Sequence, residues 1–325
     1  PQDGSGITDE TDILAVSTAI EPANPDLLAA HHQGVAVLHR SKMLARLVHE
    51  HLLVAIAGTS GKTTVTALTG WLMAECGLDP FVINGGQIIG WDSPDSSGSV
   101  YPGKKGPWVI EADESDKSFL NYSPDWALIN NISRDHFDWD ETVALFRQFC
   151  TCVRTGLVLG PNVKKQLGAE TIPDHLEIVD LDNASSNSAL SDSCPLPGEH
   201  NRQNALAALA LCKIYGASDE SLRRALRSFR GVRRRLEVAA EKDGITVIDD
   251  YAHNPEKITA SQQTNRSLGQ DHPPLEWVRR QAAPMRRLLA LATALARSIH
   301  AIAFHRRHEP IQYARRSSVI SFLHR

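Results

Sequence analysis

The segment AIAGTSGKTTVTALTG, residues 55–70, constrains this chain more than any other part of it. The apolar run LLVAIA (52–57) leads into its glycines and predicts a buried strand, and a helix-compatible stretch follows them. Backbone amides at a helix start, aided by the helix dipole, can surround an anionic phosphate. The general phosphate loop has four residues between its glycines, whereas only Thr59 and Ser60 separate them here. The segment predicts a short form of that loop, the alternative being a glycine-rich turn without a ligand.

The residues around the second glycine have defined roles in such a loop. The backbone of residues 58–63 would surround the phosphate. Lys62 would lie against the β- and γ-phosphates, and Thr63 would offer its hydroxyl to Mg²⁺. The loop therefore predicts a nucleotide triphosphate and a divalent cation as ligands.

Composition limits the other function classes. The 325 residues suit two or three domains, and 42% hydrophobic with 22% charged residues is ordinary for a globular protein. A net charge of −4 does not indicate nucleic acid or an anionic membrane as a partner. No apolar run approaches the length of about 18 residues that a membrane helix needs. We expect a cytoplasmic protein that acts on small molecules; the sequence does not indicate its oligomeric state.

The cysteines do not suggest a metal site or a disulfide framework. There are five, an odd number, without framework spacing. Cys150 and Cys152 could form a metal-binding pair, but no second pair completes a zinc site. Thiols in the core or on a helix surface are the favoured interpretation.

Strand and helix signals alternate along most of the chain, which predicts an α/β fold with parallel sheets. In residues 1–50 the strand candidates are ILAVSTAI (13–20) and VAVLH (35–39). Between them Asn24 and Pro25 open a helix that Gly34 closes, and Ser41 is the expected cap of the next helix. Residues 51–232 form one larger α/β domain. Its predicted strands are 108–114, 126–133 and 157–160, and its predicted helices include 141–150 and 202–216.

The character of the sequence changes near its end. Residues 233–257 predict two strands around a Lys-Asp-Gly turn. Residues 258–325 then contain no lysine, 11 arginines, three acids and five histidines, and strand–helix alternation disappears apart from a helical stretch at 286–304. The segment is either a basic helical tail that binds nucleic acid or a degraded or out-of-frame end. The abrupt change of residue usage favours the second interpretation.

Two further motifs follow predicted strands. WVIEADESDKSF (108–119) has four carboxylates at the end of an apolar strand, the sheet edge where ligands of such folds bind. A carboxylate there can hold Mg²⁺ against the γ-phosphate, the alternative being a solvated acidic turn. In NNISRDHFDWD (130–140), His136 lies among three aspartates and is either a metal ligand, which the context favours, or a surface residue.

Three more motifs complete the set. In PGEHNRQNALAALA (197–210), Asn201 and Asn204 are one helical turn apart at a helix start, so both side chains face one direction. The alternative is that these asparagines simply cap the helix. FRGVRRRLEV (229–238) clusters arginines at the expected boundary between two domains. IDDYAHNPEKI (248–258) brings polar side chains into a short loop before a helix that starts with proline.

Together, these six motifs in this order resemble the Mur ligases, the ATP-dependent amide-forming enzymes of peptidoglycan synthesis. Within that family, EADESDKSFL and the Asp-His of NNISRDHFD look most like the branch that joins L-alanine to UDP-N-acetylmuramate. A related enzyme, which attaches a recycled murein tripeptide to the same nucleotide sugar, shares much of the pattern. The resemblance covers roughly residues 10–258 and is most specific in the middle domain.

The resemblance implies a fold of three parts. Residues 1–50 would be a partial, Rossmann-like UDP-sugar-binding domain, and residues 51–232 a central parallel-sheet ATP-binding domain of the P-loop type. Residues 233–257 would begin an incomplete C-terminal ligase domain, before the anomalous tail at 258–325. Relatives start with a strand and a glycine-rich turn that help to hold UDP, so we expect an incomplete UDP-sugar pocket here.

The resemblance also implies residue roles. Lys62 would bind the phosphates, Thr63 and Glu111 would hold one Mg²⁺, and His136 would contact a second Mg²⁺ site. Arg235 would reach the transferred phosphate, and Asp250 would face the active site from the third domain. The nucleotide-binding residues implied are Gly58, Thr59, Ser60, Gly61, Lys62, Thr63, Thr64, Asn201, Asn204, His253 and Asn254.

The implied chemistry needs no protein nucleophile. The muramyl carboxylate attacks the γ-phosphate of ATP to give an acyl phosphate, and the amine of L-alanine or of a short peptide then displaces phosphate. Two hypotheses compete with an active ligase. One is a truncated, catalytically impaired Mur-like protein that still binds ATP and Mg²⁺. The other is a nucleic-acid-associated ATPase that uses the arginine-rich tail, which has few aromatic residues for such a role. A serine at position 60, where this branch usually has histidine, weakens the assignment to one branch.

Overall fold

The computed structural model describes residues 2–93, 96–183, 188–242, 245–252 and 318–323, together with residues 259, 261 and 264. The chain divides into two compact units, Pro1–Val232 and Arg233–Arg325. In the described part of the chain, no helix is both long enough and apolar enough to cross a membrane. The division into three domains made from the sequence stays a prediction.

The first unit begins with two strands and two helices in alternation. Strands β1 (Ile13–Val16) and β2 (Ala36–His39) pair in parallel as a two-stranded sheet. Helix α1 (Pro25–Gln33) connects them, and helix α2 (Arg40–Val48) follows β2. The predicted alternation is therefore present, although the first strand ends at Val16 and not at residue 20.

Helix α1 begins and ends as the sequence predicts. The side chain of Asn24 accepts hydrogen bonds from the amides of Asp26 and Leu27, at 3.0 and 3.4 Å. These bonds satisfy amides that have no partner inside the helix. Gly34 closes the helix with φ +72°, a conformation that costs glycine little.

The predicted cap of helix α2 is wrong by two residues. The helix begins at Arg40, so Ser41 lies inside its first turn and His39 is the cap. Nδ1 of His39 accepts the Ser41 amide at 3.4 Å and lies 2.7 Å from the Ser41 hydroxyl oxygen. That oxygen also accepts a hydrogen bond from Asn121 at 3.0 Å. Histidine is not among the residues usually expected at this position, so the pattern pointed to serine.

A seven-stranded sheet forms the centre of the first unit. The strands that follow β2 in the chain are β3 (Leu53–Ala57), β4 (Phe81–Ile83), the hairpin strands β5 (Asp92–Ser93) and β6 (Ser96–Ser97), β7 (Val100–Pro102), β8 (Trp108–Glu111), β9 (Trp126–Ile129), β10 (Gly156–Leu159) and β11 (Glu177–Asp180). The sheet order is β11-β10-β9-β3-β8-β4-β7. All neighbours pair in parallel except β4 and β7. The parallel strands explain why their loops meet at one edge.

Helices cover both faces of this sheet. They are α3 (Lys62–Glu75), α4 (Trp139–Thr151), α5 (Val163–Leu167), α6 (Ser188–Ser191), α7 (Glu199–Ile214) and α8 (Asp219–Ser228). Alternate residues of β3 enter different cores: Val54 and Ile56 pack with α3, α7 and α8, whereas Leu53 and Ala55 pack with α4. A strand that is buried on both faces has a continuous apolar sequence, and the run LLVAIA is such a sequence.

Three predicted strands lie in this sheet, but each is shorter than predicted at its C-terminal end. The segments beginning at Trp108, Trp126 and Leu157 form β8, β9 and β10. The residues that follow β8 and β9 are loops and carry the polar motifs. The chain thus leaves the sheet just where the acidic and asparagine-rich sequences begin.

The second unit contains a three-stranded sheet. Strand β12 (Glu237–Lys242) pairs antiparallel with β13 (Ile245–Asp250), and β14 (Ser318–Leu323) pairs in parallel with β13. The two strands predicted around the Lys-Asp-Gly turn are confirmed. The prediction that no strand pattern follows Ile258 is wrong for 318–323, where β-branched Val319 and Ile320 lie in the sheet. The predicted helical stretch at 286–304 lies outside the described residues.

Candidate functional site

The turn between β3 and α3 requires glycine at both of its glycine positions. Gly58 has φ +134° and Gly61 has φ +83°. A Cβ atom on Gly61 would come within 2.7 Å of side-chain atoms of Asn130 and Asn204. The loop thus passes tightly over asparagine side chains from two other parts of the unit.

The start of α3 is open to a ligand. Gly61 is its N-cap and has no side chain to bond the first amides, and no side-chain cap replaces it. The first amides of a helix lack partners within the helix and, with the dipole, favour an anion. Thr63 and Thr64, in the first turn, are buried. This geometry is compatible with the predicted phosphate loop, which stays a prediction.

Asn131, after β9, fixes the loop from its other side. Its side-chain oxygen accepts the Ser60 amide at 2.8 Å, and its side-chain nitrogen donates to the Ser60 carbonyl at 2.9 Å. The Thr59 amide donates to the Asn131 carbonyl at 3.1 Å. The amides of Thr59 and Ser60 are therefore used to hold the loop, which leaves the α3 end as the side where the predicted phosphate would bind.

The predicted asparagines of α7 belong to the same network. The side-chain nitrogen of Asn130 donates to the Asn204 side-chain oxygen at 2.9 Å and to the Ser60 carbonyl at 3.1 Å. Asn204 in turn donates to Asn201 at 3.4 Å, and Asn201 donates to the Pro197 carbonyl at 2.7 Å. Both α7 asparagines are 5% exposed. The structure brings them to the loop, where they support it through Asn130.

Lys62 lies between acidic residues. Its Nζ donates to the Glu114 carboxylate at 2.6 Å and to the Gly58 carbonyl at 2.9 Å, and lies 3.5 Å from Asp113. Burial lowers the pKa of Lys62, but the charges of Glu114 and Asp113 outweigh it and hold that pKa above its ordinary value. Burial raises the pKa of Glu114 despite the opposing charge of Lys62. At 2.6 Å the contact is an ion pair, so we take the carboxylate as charged.

Thr63 and Glu111 meet beside the lysine. The Thr63 hydroxyl donates to Oε1 of Glu111 at 3.0 Å, and the Gly85 amide donates to Oε2 at 2.9 Å. Thr63 is in the first turn of α3, and Glu111 is the last residue of β8. The adjacent positions of β3 and β8 in the sheet bring the two motifs together.

His136 is placed differently. Its side chain is 43% exposed, and its Nε2 lies 3.8 Å from the Asp135 carboxylate. Among the described residues, no group of three or more histidine, cysteine, aspartate or glutamate side chains could hold a metal. The second Mg²⁺ site therefore stays a prediction.

The second unit holds the remaining described candidates. The guanidinium groups of Arg234 and Arg235 each lie 5.1 Å from the centre of the Tyr251 ring. Asp250 accepts the amides of Leu236 and Ala252 at 2.8 and 2.7 Å. These bonds give Asp250 a role in folding the start of this unit. The predicted His253 and Asn254 lie outside the described residues.

The residues around the loop fit Mg²⁺ bound with a nucleotide. Mg²⁺ prefers oxygen ligands and is commonly held by one or two carboxylates together with substrate phosphates and water. Thr63 and Glu111 supply a hydroxyl and a carboxylate at the phosphate end of α3, and they already face each other. The donor set is therefore that of the predicted cation site.

Four residues of this site were not singled out from the sequence. Asn130 and Asn131 belong to the motif 130–140, in which His136 is the residue predicted to be functional. Glu114 was one of four similar acids, and spacing alone did not show which would meet Lys62. Gly85 follows strand β4 in an Asn-Gly-Gly turn, a signal that was available: a Cβ atom there would overlap Oε2 of Glu111.

The second unit matches a known family. A family model described as "Mur ligase, glutamate ligase domain" matches residues 234–316. The match begins where the second unit begins and continues past Ile258, into the segment that composition sets apart. The hypotheses about the origin of that segment stay predictions.

Similar proteins carry related names. A curated relative from Bradyrhizobium sp. (strain BTAi1), named UDP-N-acetylmuramate–L-alanine ligase, is 36% identical over 286 residues, which cover 77% of this chain and 60% of the relative. The chain thus spans about 60% of the length of that relative. The solved structure of UDP-N-acetylmuramate-alanine ligase from Thermotoga maritima has a TM-score of 0.68 at 25% identity, covering 82% of this chain and 66% of that one.

A more distant structure shares the fold. Mycobacterium tuberculosis folylpolyglutamate synthase, solved in complex with ADP, has a TM-score of 0.54 at 18% identity. The match covers 70% of this chain and 69% of that one. At this identity the likeness concerns the fold alone.

Proposed function

The chain belongs to the Mur ligase family, and on that premise we propose that it is an ATP-dependent ligase. It joins the carboxylate of UDP-N-acetylmuramate to an amino acid, L-alanine, through an acyl phosphate. Its cofactors are ATP and Mg²⁺, and its place of action is the cytoplasm. The named relatives support the substrate, since a relative 36% identical and a solved structure 25% identical bear the name of this reaction.

One observation carries the proposal. A loop with an open helix start, a mostly buried lysine and a threonine–glutamate pair lie together at the carboxyl ends of two neighbouring parallel strands. Ligands of open α/β sheets bind at this edge. A glycine-rich turn with only a structural role would not need a lysine 12% exposed beside two carboxylates.

The residues around the loop would act by positioning and by charge. The amides at the start of α3 bind phosphate oxygens, and Lys62 neutralises charge that builds up on the transferred group. Thr63 and Glu111 would hold Mg²⁺, which would supply positive charge to the phosphates of ATP. The substrate carboxylate attacks the γ-phosphate, and the bond to the β-phosphate oxygen breaks.

The second half-reaction would need the other predicted residues. The amine of L-alanine attacks the acyl carbon, phosphate leaves, and the amine loses a proton. We propose that Arg235 stabilises the transferred phosphate, that Asp250 faces the active site, and that His253 and Asn254 lie near the nucleotide base or ribose, as in the family pattern. His136 is proposed to contact a second Mg²⁺.

The test is phosphate release from ATP with the purified chain. UDP-N-acetylmuramate, L-alanine and Mg²⁺ are present together and are then omitted one at a time. Release that requires all of them supports the ligase. Release without L-alanine would indicate a simple ATPase instead. If L-alanine fails but the murein tripeptide replaces it, the recycling ligase is the better assignment.

Binding is measured in parallel, so that failure of catalysis can be interpreted. Stabilisation by Mg·ATP without phosphate release would support the alternative of a nucleotide-binding protein that has lost ligase activity. Absence of both would contradict the proposed function. Lys62→Met should lose the stabilisation by Mg·ATP. Lys117→Met is the matched control and should keep it, because Lys117 forms an exposed ion pair with Glu141.

A further inference from the structure

Glu114 stands out among the acids that follow β8. It is 3% exposed. One of its oxygens is 2.6 Å from Nζ of Lys62, and the other, Oε1, is buried and has no hydrogen-bond partner among the described residues. A buried carboxylate oxygen without a partner costs free energy. The proposed phosphate chemistry gives Glu114 no task that would explain this cost.

The geometry around Lys62 suggests an explanation. An ammonium group has three protons to donate. In this structure the acceptors nearest to Nζ are Gly58, Glu114 and, at 3.5 Å, Asp113. All three acceptors belong to the protein. A phosphate that binds at the start of α3 therefore meets an ammonium group that is already paired with Glu114, and it draws on the same positive charge.

The inference rests on the proposed nucleotide site. We propose that Glu114 is a positioning residue that holds Lys62 folded back on the loop in the absence of nucleotide, so that it competes with the phosphates of ATP for the ammonium group. Glu114 stabilises the empty loop by pairing the lysine, and it lowers nucleotide affinity by the same contact. Gly58 keeps Nζ near the loop in both states.

Of the three acceptors, Glu114 is the one that binding most affects. The Gly58 carbonyl is neutral, and Asp113 is farther away and has a more exposed side chain, 36% against 4% for Glu114. Asp113 also accepts the Ser115 amide at 3.1 Å. Glu114 makes the shortest charged contact in the most buried position, where an ion pair is screened least.

A purely structural ion pair makes a different prediction. If Glu114 only supported the fold, its removal would lower stability and would also lower or leave unchanged the affinity for nucleotide. If it competes with phosphate, its removal lowers the stability of the empty protein and raises the affinity for nucleotide. The two effects then have opposite signs, which a damaged fold would not produce.

The experiment uses Glu114→Gln, which keeps the shape and removes the charge. The thermal midpoint without nucleotide and the Kd for Mg·ATP are measured for the full chain and for the variant. We expect a lower midpoint and a Kd lower by about tenfold, as one lost charge-assisted hydrogen bond implies. The matched control is Glu141→Gln, which breaks the exposed 2.9 Å pair with Lys117 and leaves the Kd unchanged.

An unchanged or higher Kd in Glu114→Gln would overturn the inference. If that variant does not fold, Glu114→Asp keeps the charge but shortens the side chain, and a lower Kd is again expected. If the unaltered chain does not bind Mg·ATP at all, the proposed function fails and the inference fails with it. The Kd of the unaltered chain for Mg·ATP, measured first, distinguishes failure of the proposed function from failure of the inference about Glu114.

Discussion

The hydroxyl of Thr63 lies 3.0 Å from the carboxylate of Glu111, to which it donates a hydrogen bond across two separate motifs. The residues are 48 positions apart in the chain. The parallel pairing of β3 with β8 places one at the start of the helix after β3 and the other at the end of β8. A hydroxyl and a carboxylate are oxygen ligands of the kind that Mg²⁺ takes together with phosphates.

Removing the charge of Glu111 tests this pair. In Glu111→Gln the side chain keeps its size but is a poor ligand for Mg²⁺. We expect the affinity for Mg·ATP to fall by tenfold or more, about the loss found when a metal site is impaired, and the affinity for ATP without metal to change little. Calorimetric titration with and without Mg²⁺ measures both.

The control for Glu111→Gln is an acid of the same motif away from the pair. Asp116 accepts the Ser118 amide at 2.9 Å and lies 3.7 Å from Arg40. Asp116→Asn should leave both affinities unchanged. Equal losses with and without metal in Glu111→Gln would argue against a cation at this site.

Gly85 provides a second test of the carboxylate position. Its amide donates to Oε2 of Glu111, and a Cβ atom would overlap that oxygen. Gly85→Ala should therefore displace Glu111 and weaken Mg·ATP binding as Glu111→Gln does, although no ligand group is removed. The measurement is again the Kd with and without Mg²⁺.

The control for Gly85→Ala is a glycine with room for a methyl group. A Cβ atom on Gly6 would meet no atom within 4 Å, so Gly6→Ala should bind Mg·ATP normally. If Gly85→Ala bound Mg·ATP as tightly as the unaltered chain, the proposed orientation of Glu111 would be incorrect.

The central fold followed from the sequence because its signals are local. The apolar runs at β3, β8 and β9 are buried on both faces, and the chain turns at glycines or polar residues. The predicted strands are longer than the observed ones at their C-terminal ends, because the polar residues that follow each strand do not mark in the sequence where the strand ends. Strand β14 was missed because an arginine-rich segment masked a short run containing Val319 and Ile320.

The candidate site was predictable only in part. The roles of Lys62 and Thr63 follow from residue types in a strand–turn–helix, and the structure agrees with that setting. The partners of these residues come from segments distant in sequence, so spacing could not choose Glu114 among four acids. Nor could it show that Asn131 occupies the Ser60 amide, because that contact depends on where β9 ends.

The buried thiol of Cys150 gives a pH dependence of stability. Burial raises its pKa to about 12, whereas an exposed thiol titrates at about 8.5. Above the lower value the unfolded chain ionises and the folded chain does not, so the free energy of unfolding falls as pH rises. For one such group the slope approaches about 1.4 kcal/mol per pH unit.

Urea unfolding between about pH 8 and pH 10 measures that slope. Cys150→Ala should make this slope less steep, because the titrating thiol is removed. The substitution also removes packing energy, but that loss does not change with pH, and other buried groups contribute equally to the slopes of the unaltered chain and the variant. Cys152→Ala is the control, since Cys152 is less buried and should change the slope less. Identical slopes for the unaltered chain and Cys150→Ala would contradict the prediction.

Replacing Lys62 separates binding from folding. Lys62→Ala should abolish the thermal stabilisation that Mg·ATP gives, since the ammonium at the loop is lost. It should also destabilise the empty protein, because Glu114 would be left buried without its partner at 2.6 Å. The double variant Lys62→Ala/Glu114→Gln should recover most of that stability yet still fail to respond to Mg·ATP. Thermal melts of the single and double variants, with and without Mg·ATP, measure both effects. Retained stabilisation by Mg·ATP in either variant would show that the nucleotide does not bind through this lysine.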